Sequence, residues 1–459
     1  MRTKAALGIW LLAITLAWAA VAPPDLGLWP LVDAQGAAGG AWRLRQHAIH
    51  LTGLWSIGLM GLVMVLALRL PWLEGPLGGM DQVYRLHKWA GIGAAVAALA
   101  HWGAKEAGGG IKALWGRAGH PARDVVLPWL ADSRGLAKDL GEWAFYLLLA
   151  LVVLTLWQRL VAYRRWRITH RAMPLLYLAL AFHSVALMPR GFWALPLGAL
   201  MGGLLALGCV AALWSLAGWT GARRRHTARI AAVQRLGDAP GAPLEVVCAM
   251  PPGWPGHRAG QFAFVRFDRG EGAHPFTIAS APGALGRGDA GEPLLRLVIK
   301  PLGDYTRTLH ARLCAGQRVD VEGPYGRFDG AGRAGRQQVW VAGGVGVTPF
   351  LALLEARQPG AVPPAGGLQP AHLHYCTRDA ARDPLLPRLR ALCGQAQPPV
   401  ALTVHSDALG QCLRPQDLEA LPGPLDIWFC GPPGLGALLA AHASGPRPWR
   451  LHRESFAMR

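Results

Sequence analysis

Four histidines set the chemical question. His87 and His101 lie 14 residues apart and His170 and His183 lie 13 apart, in stretches otherwise rich in Ala, Leu, Val and Trp. An ionisable side chain inside an apolar run is costly, so it marks a functional position by default. On an α-helix, 14 residues rise ~21 Å and return to within about 40° of the same face, so one helix presents His87 and His101 at two depths. A 13-residue interval turns the second imidazole about 140° away. Pro174 offers relief, because it removes an internal hydrogen bond and kinks or rewinds the chain near His170. Paired as His87 with His170 and His101 with His183, the four offer two axial imidazoles to each of two stacked b-type haems. Neutral imidazole suits iron, and two axial histidines leave no open position, which favours electron transfer. The plainer alternative makes His87 and His170 interfacial residues beside Lys88 and Arg171, with His101 and His183 satisfying one another. His47 and His50 have no comparable partners and read as interfacial, with a role at the acceptor side left open.

The elements that must hold these residues are apolar spans. The chain of 459 residues is 52% hydrophobic with 20 tryptophans, and the long apolar runs fall within residues 1–220. Spans are expected at 48–68, 87–104, 141–161, 170–189 and 193–216, each near the ~20 residues that ~30 Å of hydrocarbon requires. The first apolar stretch, from Arg2 and Lys4 to Ala20-Val21-Ala22 before Pro23-Pro24, would also pass as a cleavable signal. Retained, it makes six spans and puts the N-terminus and the second half on one side. Arg69, Arg85, Arg159, Arg164, Arg165, Arg167, Arg171 and the triplet Arg223-Arg224-Arg225 then all face the cytoplasm, as the positive-inside rule asks. The segment 105–140 departs from it with six cations, Lys105, Lys112, Arg117, Arg123, Arg134 and Lys138. Long translocated loops are less bound by that rule.

The formal charge of +19 is carried mostly by these connections and the second half, and no basic stripe with interleaved aromatics points to nucleic acid. Membrane lipid is the expected partner. Six of the seven cysteines lie in the second half without CxxC spacing, which argues against a zinc ribbon, an iron–sulfur cluster or a disulfide framework. No DxDxDG loop supports calcium binding.

The second half reads differently. Short strands such as Leu244–Val247, Gln261–Val265 and Leu295–Ile299 alternate with turns, as in a small antiparallel barrel. Between them stand His274-Pro275-Phe276-Thr277-Ile278-Ala279-Ser280 and Lys300-Pro301-Leu302-Gly303-Asp304-Tyr305-Thr306. An aromatic followed by a hydroxyl can cover a flavin ring and bond its edge, and a lysine, glycine and threonine in a turn can hold a pyrophosphate; taken alone, HPFT also fits an ordinary strand entry and the glycine turn an ordinary hairpin. Gln338–Ala342 is a buried-strand pattern running into Gly343-Gly344-Val345-Gly346-Val347-Thr348-Pro349-Phe350, a glycine turn at a helix start that suits a phosphate. Asp426–Cys430 leads into Gly431-Pro432-Pro433-Gly434, again at the carboxyl end of a strand.

The order of these features resembles the ferric reductase and NADPH oxidase superfamily over about residues 45–459. Its haem-binding helices carry histidines 14 and 13 apart, and Tyr84-Arg85-Leu86-His87-Lys88-Trp89-Ala90-Gly91-Ile92 looks like its third helix. The second half resembles the ferredoxin–NADP reductase superfamily, with HPFT and GGxGxTP motifs. The resemblance implies that Phe276 and Thr277 address the isoalloxazine of FAD, that His274, Pro275 and Ser280 flank it, and that Lys300, Gly303 and Thr306 face the diphosphate. It implies a nucleotide site at Gly343, Gly344, Gly346, Thr348 and Pro349, with Cys430, Gly431 and Pro432 by the nicotinamide. Thr377-Arg378 falls where family members meet a 2′-phosphate, which favours NADPH over NADH. Phe456, preceded by Glu454, is placed as the aromatic that stacks on the flavin and swings aside for hydride transfer, with Thr277 and Cys430 beside it.

The expectation is a multi-domain chain: an all-α six-helix transmembrane bundle over 1–220, an antiparallel β-barrel FAD domain over 221–332 and an α/β nucleotide-binding domain over 333–459. It would be a multi-pass protein of a bacterial-type inner (plasma) membrane with the FAD/NAD(P) half in the cytoplasm. NAD(P)H supplies an electron pair and each haem carries one electron, so FAD is needed to divide the pair. The expected acceptor is a ferric chelate or dioxygen. An electron-supplying module for a partner membrane or periplasmic protein is the alternative.

Overall fold

The computed structural model describes residues 2–21, 36–157, 163–239, 241–268, 270–332, 335–361, 368–443 and 449–454. The chain forms two compact units that divide between Thr220 and Gly221.

The first unit is helical: α1 (Arg2–Val21), α2 (Gly36–Leu66), the single turn α3 (Glu74–Leu77), α4 (Met80–Trp115), α5 (Arg134–Leu156), α6 (Tyr163–His170), α7 (Met173–Leu187) and α8 (Leu197–Leu216). Among the described residues, four segments are long and apolar enough to cross a bilayer: Lys4–Val21, Ala38–Leu66, Pro128–Leu156 and Leu197–Leu216. The helix α4 is long, but it carries Asp81, Arg85, Lys88, Lys105, Glu106 and Lys112, and much of its apolar face is Ala and Gly. Its 36 residues exceed the expected span at both ends. Gly78 and Gly79 (φ 93° and 130°) break the chain just before Met80, and Gly116 (φ 64°) breaks it after Trp115. The segment expected as a long loop is therefore largely helical, with only 116–127 non-helical between the end of α4 and the 3₁₀ turn Pro128–Ser133.

The span expected at 170–189 is two helices. His170 is the last residue of α6, the chain turns at Arg171-Ala172, and Pro174 sits in the first turn of α7, where its missing N–H costs nothing. With 15 residues, α7 rises about 22 Å, short of a full crossing. The span expected at 141–161 ends at Leu156, and 158–162 lie outside the described residues. The core joins Ile14 and Trp18 of α1, Leu54 and Met60 of α2, Ala90 and Ala94 of α4, Leu148 of α5, Tyr177 of α7 and Met201 of α8. Helices come close there because Gly208 leaves no room for a Cβ, which would meet the Tyr177 hydroxyl at 2.1 Å. Outward stand Trp143, Leu147, Val153, Leu207, Val210 and Leu213, a run of exposed apolar side chains that lipid, not water, would tolerate.

The second unit holds two sheets. Strands β1 (Arg225–Arg235), β2 (Leu244–Ala249), β3 (Phe262–Arg266), β4 (His274–Thr277), β5 (Leu294–Ile299) and β6 (Arg318–Tyr325) form a six-stranded sheet in the order β4-β3-β6-β1-β2-β5, with α9 (Asp304–Arg312) between β5 and β6. Each neighbouring pair is antiparallel. The edge strands meet at one bridge, Ile278 to Leu297, so the sheet curls until its ends touch. Leu295, Leu297 and Ile299 point inward with Val246, Val265 and Val321, as period-two alternation requires.

The remaining strands, β7 (Gln337–Gly343), β8 (Ala371–Thr377), β9 (Val400–Ser406), β10 (Leu425–Cys430) and β11 (Arg450–Arg453), form a five-stranded parallel sheet in the order β11-β10-β7-β8-β9. Helices α10 (Thr348–Glu355) and α11 (Leu386–Gln395) pack on one face, and α12 (Pro415–Glu419) and α13 (Pro433–His442) on the other. Ala279, Val298 and Phe328 of the first sheet's region belong to the same apolar cluster as Phe350, Leu351 and Leu354 of α10. The two sheets thus share one core.

Candidate functional site

In the first unit the four histidines meet in the expected pairs. The rings of His87 and His170 lie 6.2 Å apart and those of His101 and His183 lie 6.4 Å apart. The turn at Arg171-Ala172 solves the angular problem of the 13-residue interval, since His170 and His183 sit on different helices. Backbone carbonyls orient three of the rings. Nδ1 of His87 donates to Val63 O (3.1 Å), Nδ1 of His101 to Ile49 O (2.8 Å) and Nδ1 of His183 to Ala137 O (2.7 Å). A carbonyl only accepts, so the proton is on Nδ1 and Nε2 keeps its lone pair, the tautomer a metal needs. His170 stacks on Trp166 with centroids 5.2 Å apart, and its Nδ1 is buried without a hydrogen-bond partner among the described residues.

Glycines make the close approach possible. A Cβ on Gly53 would stand 3.0 Å from Nδ1 of His101, and one on Gly141 only 2.0 Å from Nδ1 of His183. The donor set fits haem iron: two metal–imidazole bonds of about 2 Å on opposite sides of one ion put ring centres roughly 6 Å apart, and that is the spacing found. His50, in contrast, donates from Nε2 to Asp124 Oδ2 over 2.9 Å, and Gln46 Nε2 donates to the other oxygen at 2.9 Å. That partner lies 74 residues away in sequence, which hid it from spacing arguments. His47 sets its ring edge-on to Trp18.

In the second unit β4 carries the HPFT run. His274 stacks on Tyr305 with centroids 4.7 Å apart and lies 3.5 Å from Glu271. Phe276 is half-buried against Phe267, and Thr277 is buried opposite Phe262 of β3. Pro275 pairs with Phe264. Ser280 is fully buried; its hydroxyl accepts from the Arg296 amide at 3.0 Å and its carbonyl from His257 Nε2 at 3.0 Å. Gly303 caps α9, and the Thr306 hydroxyl accepts from the amides of Leu302 and Gly303, both at 3.0 Å. The positive end of a helix is thereby shaped where a phosphate was expected.

The strand order reverses between β7 and β10, which makes their carboxyl ends the topological switch point where open α/β sheets bind ligands. Both glycine turns lie there and touch. A Cβ on Gly343 would meet Pro432 at 2.3 Å, one on Gly431 would meet the Gly343 amide at 2.9 Å, and one on Gly346 would meet the Cys430 carbonyl at 2.2 Å. Gly344 takes φ 53°, and Lys300 Nζ reaches to 3.7 Å from its Cβ position, bringing a cation from just past the end of β5 to the turn. The Thr348 hydroxyl donates to Val345 O at 3.0 Å, and Pro349 occupies the first turn of α10. Burial, then the Glu454 carboxylate, pushes the Cys430 thiol up, so it stays a neutral thiol. Glu454 is itself buried, 2.9 Å from where a Cβ of Gly326 would stand. At the end of β8, Thr377 donates to Asp383 Oδ2 at 2.5 Å, as does the Tyr375 hydroxyl at 2.7 Å, and the next residue, Arg378, is exposed. Phe456 lies outside the described residues.

Paired imidazoles in an apolar bundle, followed on the same chain by a flavin-type sheet and a nucleotide crevice, define a membrane flavoprotein of oxidoreductase type. Comparison with known families agrees. Residues 52–181 match the ferric reductase like transmembrane component, and residues 229–329 match an FAD-binding domain. The two matches, in this order, fit a ferric reductase/NADPH oxidase-type fusion, with His87, His101 and His170 inside the first match and His183 two residues past it. Among curated proteins, it is similar to the vanillate O-demethylase oxidoreductase of Pseudomonas putida (30% identity over 156 residues, 33% of this chain and 45% of that one). It is also similar to ferric reduction oxidase 2 of Arabidopsis thaliana (37% over 87 residues, 18% and 11%). Among solved structures, the flavohemoglobin of Malassezia yamatoensis with bound FAD and heme aligns with 93% of this chain and 100% of its own at 14% identity and a TM-score of 0.46. The chain spans less than half the length of the first curated relatives it matches.

Proposed function

We propose that this protein moves electrons from NAD(P)H across a membrane to a ferric chelate or dioxygen, through FAD and two haems held by His87/His170 and His101/His183. The observation that carries the reading is the pairing of the four histidines at 6.2 and 6.4 Å on a chain that also has the flavin and nucleotide modules. FAD held there would supply the conversion between a hydride pair and single electrons, and haems held by the four histidines would supply one-electron carriers. The protein's work is placement. Val63, Ile49 and Ala137 aim three imidazoles through their carbonyls. Phe276 and Thr277 frame the isoalloxazine, α9 and Lys300 face the diphosphate, and the turns after β7 and β10 hold the nicotinamide dinucleotide. Arg378 favours a 2′-phosphate, hence NADPH over NADH.

Six spans, α1, α2, α4, α5, the α6–α7 pair and α8, give the membrane domain, and the curled sheet is a flavin barrel. With the N-terminus inside, Arg69, Arg85, Arg171 and the Arg223-Arg224-Arg225 triplet face the cytoplasm, as does the second unit. The setting is a bacterial-type inner membrane. The alternative, an electron-supplying module for a partner protein, is favoured by one relative being named the beta subunit of a heme-dependent oxidative N-demethylase.

The test is anaerobic reduction of the detergent-solubilised protein by NADPH and by NADH, followed in the visible, for wild type and His101→Ala/His183→Ala. Reduced b-haem bands at two haems per FAD, halved in the double variant, support the relay. A protein that binds no haem refutes it. Superoxide-dismutase-sensitive cytochrome c reduction then separates dioxygen from iron, and copurification tests the partner reading.

A further inference from the structure

Where the two sheets of the second unit share a core, four charged side chains form a closed ring. Arg296 on β5 and Glu245 on β2 come from the first sheet, Glu355 at the end of α10 and Arg388 on α11 from the second. Arg296 contacts Glu245 at 3.2 Å and Glu355 at 2.7 Å; Arg388 contacts the same two carboxylates at 3.0 and 2.6 Å. The side chains of Arg296 and Glu355 are each only 7% exposed. Burying charges this deeply is weak evidence for stability, because desolvation offsets attraction, and a common use of such a group is to fix one arrangement of its elements.

What the ring holds is specific. The second oxygen of Glu355 accepts the Ala281 amide at 3.0 Å, and Arg296 donates its own amide to the Ser280 hydroxyl and receives the Ala279 amide on its carbonyl. Residues 279–281 follow the HPFT run on which the flavin reading rests, one residue beyond it. At its other end α10 begins at Thr348, in the glycine turn on which the nucleotide reading rests. Eight residues of helix, about 12 Å, thus run from the nucleotide turn to the chain behind the flavin. Hydride transfer needs the reacting atoms within about 3.5 Å, and an error near 1 Å costs on the order of a hundredfold.

We infer that Glu355 and Arg296, braced by Arg388 and Glu245, are positioning residues that set the approach of nicotinamide to flavin, through α10 as a strut. This rests on the NAD(P)H–FAD reaction proposed above. The apolar contacts of this interface are non-directional, whereas two carboxylates each gripped by two guanidinium groups add directional constraints on its register.

The test is stopped-flow flavin reduction in the full-length solubilised protein, anaerobically, over a range of NADPH concentration, for wild type, Glu355→Gln and Arg388→Met. We expect the saturating rate to fall at least tenfold in Glu355→Gln and less in Arg388→Met. Half-saturation should stay within twofold and FAD content unchanged, because neither substrate loses a contact. An unchanged saturating rate in Glu355→Gln, or a loss expressed only in half-saturation, overturns the inference. Should Glu355→Gln fail to retain FAD, Arg388→Met decides: a slower saturating rate supports the strut and an unchanged one refutes it. A wild type whose flavin NADPH and NADH both leave oxidised refutes the proposed reaction instead, independently of the variants.

Discussion

Gly141→Ala tests the haem reading at one atom. Gly141 lies on α5 under the His183 ring, and a Cβ there would stand 2.0 Å from Nδ1, 2.3 Å from Cε1 and 2.8 Å from Cγ. Ordinary contact begins near 3.4 Å, so the ring must withdraw by about 1.4 Å, the difference between 3.4 and 2.0 Å. Metal ligands tolerate misplacement of about 0.2 Å. The same movement breaks the 2.7 Å hydrogen bond to Ala137 O that fixes the tautomer. The variant should therefore keep the His87/His170 haem and lose the other, so that haem per FAD, measured on the released chromophores, falls by half. Gly53→Ala, whose Cβ meets His101 at 3.0 Å, needs a shift of only a few tenths of an ångström and should retain both haems with altered spectra. Gly103→Ala, with nothing within 4 Å, should change neither. Full haem content with an unshifted spectrum in Gly141→Ala would mean that His183 is not a ligand in this geometry.

Three further outcomes follow from the second unit. Gly346→Ala drives a Cβ against the Cys430 backbone carbonyl at 2.2 Å, so half-saturation for NADPH in flavin reduction should rise at least tenfold with FAD retained; an unchanged value would remove the turn from the nucleotide site. In native-state alkylation followed by peptide mass spectrometry, the exposed Cys314 and Cys412 should react, whereas Cys248, pushed up to about 12 by burial, and the buried Cys430 should not. Modification of Cys430 ahead of Cys314 would contradict a closed crevice. His374 stands between His372 and His405, bonded to His405 Nε2 at 3.1 Å, and burial, then those two neighbours, brings it from 6.5 down to about 3. Its neutral form is bound in the fold while the unfolded chain takes up a proton below 6.5, so its contribution is complete above pH 6.5 and fades as the pH falls toward 3. The loss in FAD-release temperature between pH 7.5 and 5 should be smaller in His374→Gln than in wild type, and equal losses would sink that account.

Much of the candidate site was legible in the residues themselves. The 14-residue interval between His87 and His101 is a helical period, and local geometry alone puts the two on one face. The glycine turns were legible for a similar reason: a strand running into GGVGVTP or CGPPG demands backbone approach whatever surrounds it. Pro174 announced an interruption near His170, because a missing N–H acts on its own turn. Helix ends were less legible. The positive φ of Gly78, Gly79 and Gly116 sets α4, while the cations of residues 105–115 suggested a loop to a reading based on hydropathy.

What only tertiary structure decided is everything that joins residues distant in the chain. Gly141 and His183, or His50 and Asp124, are unremarkable apart; their contact depends on how α5 meets α7 and how the segment after α4 returns to α2. The ring of Glu245, Arg296, Glu355 and Arg388 spans 143 residues at its widest hydrogen bond and was read by no motif, since a charge in sequence carries no sign of burial or partner. The bond from Thr377, placed by sequence at a phosphate, to Asp383 is likewise a contact between β8 and the loop before α11. Spacing along one helix or strand is fixed by covalent geometry and backbone hydrogen bonds, so the sequence alone determines it. Partnership across elements is fixed by packing, which no single element contains.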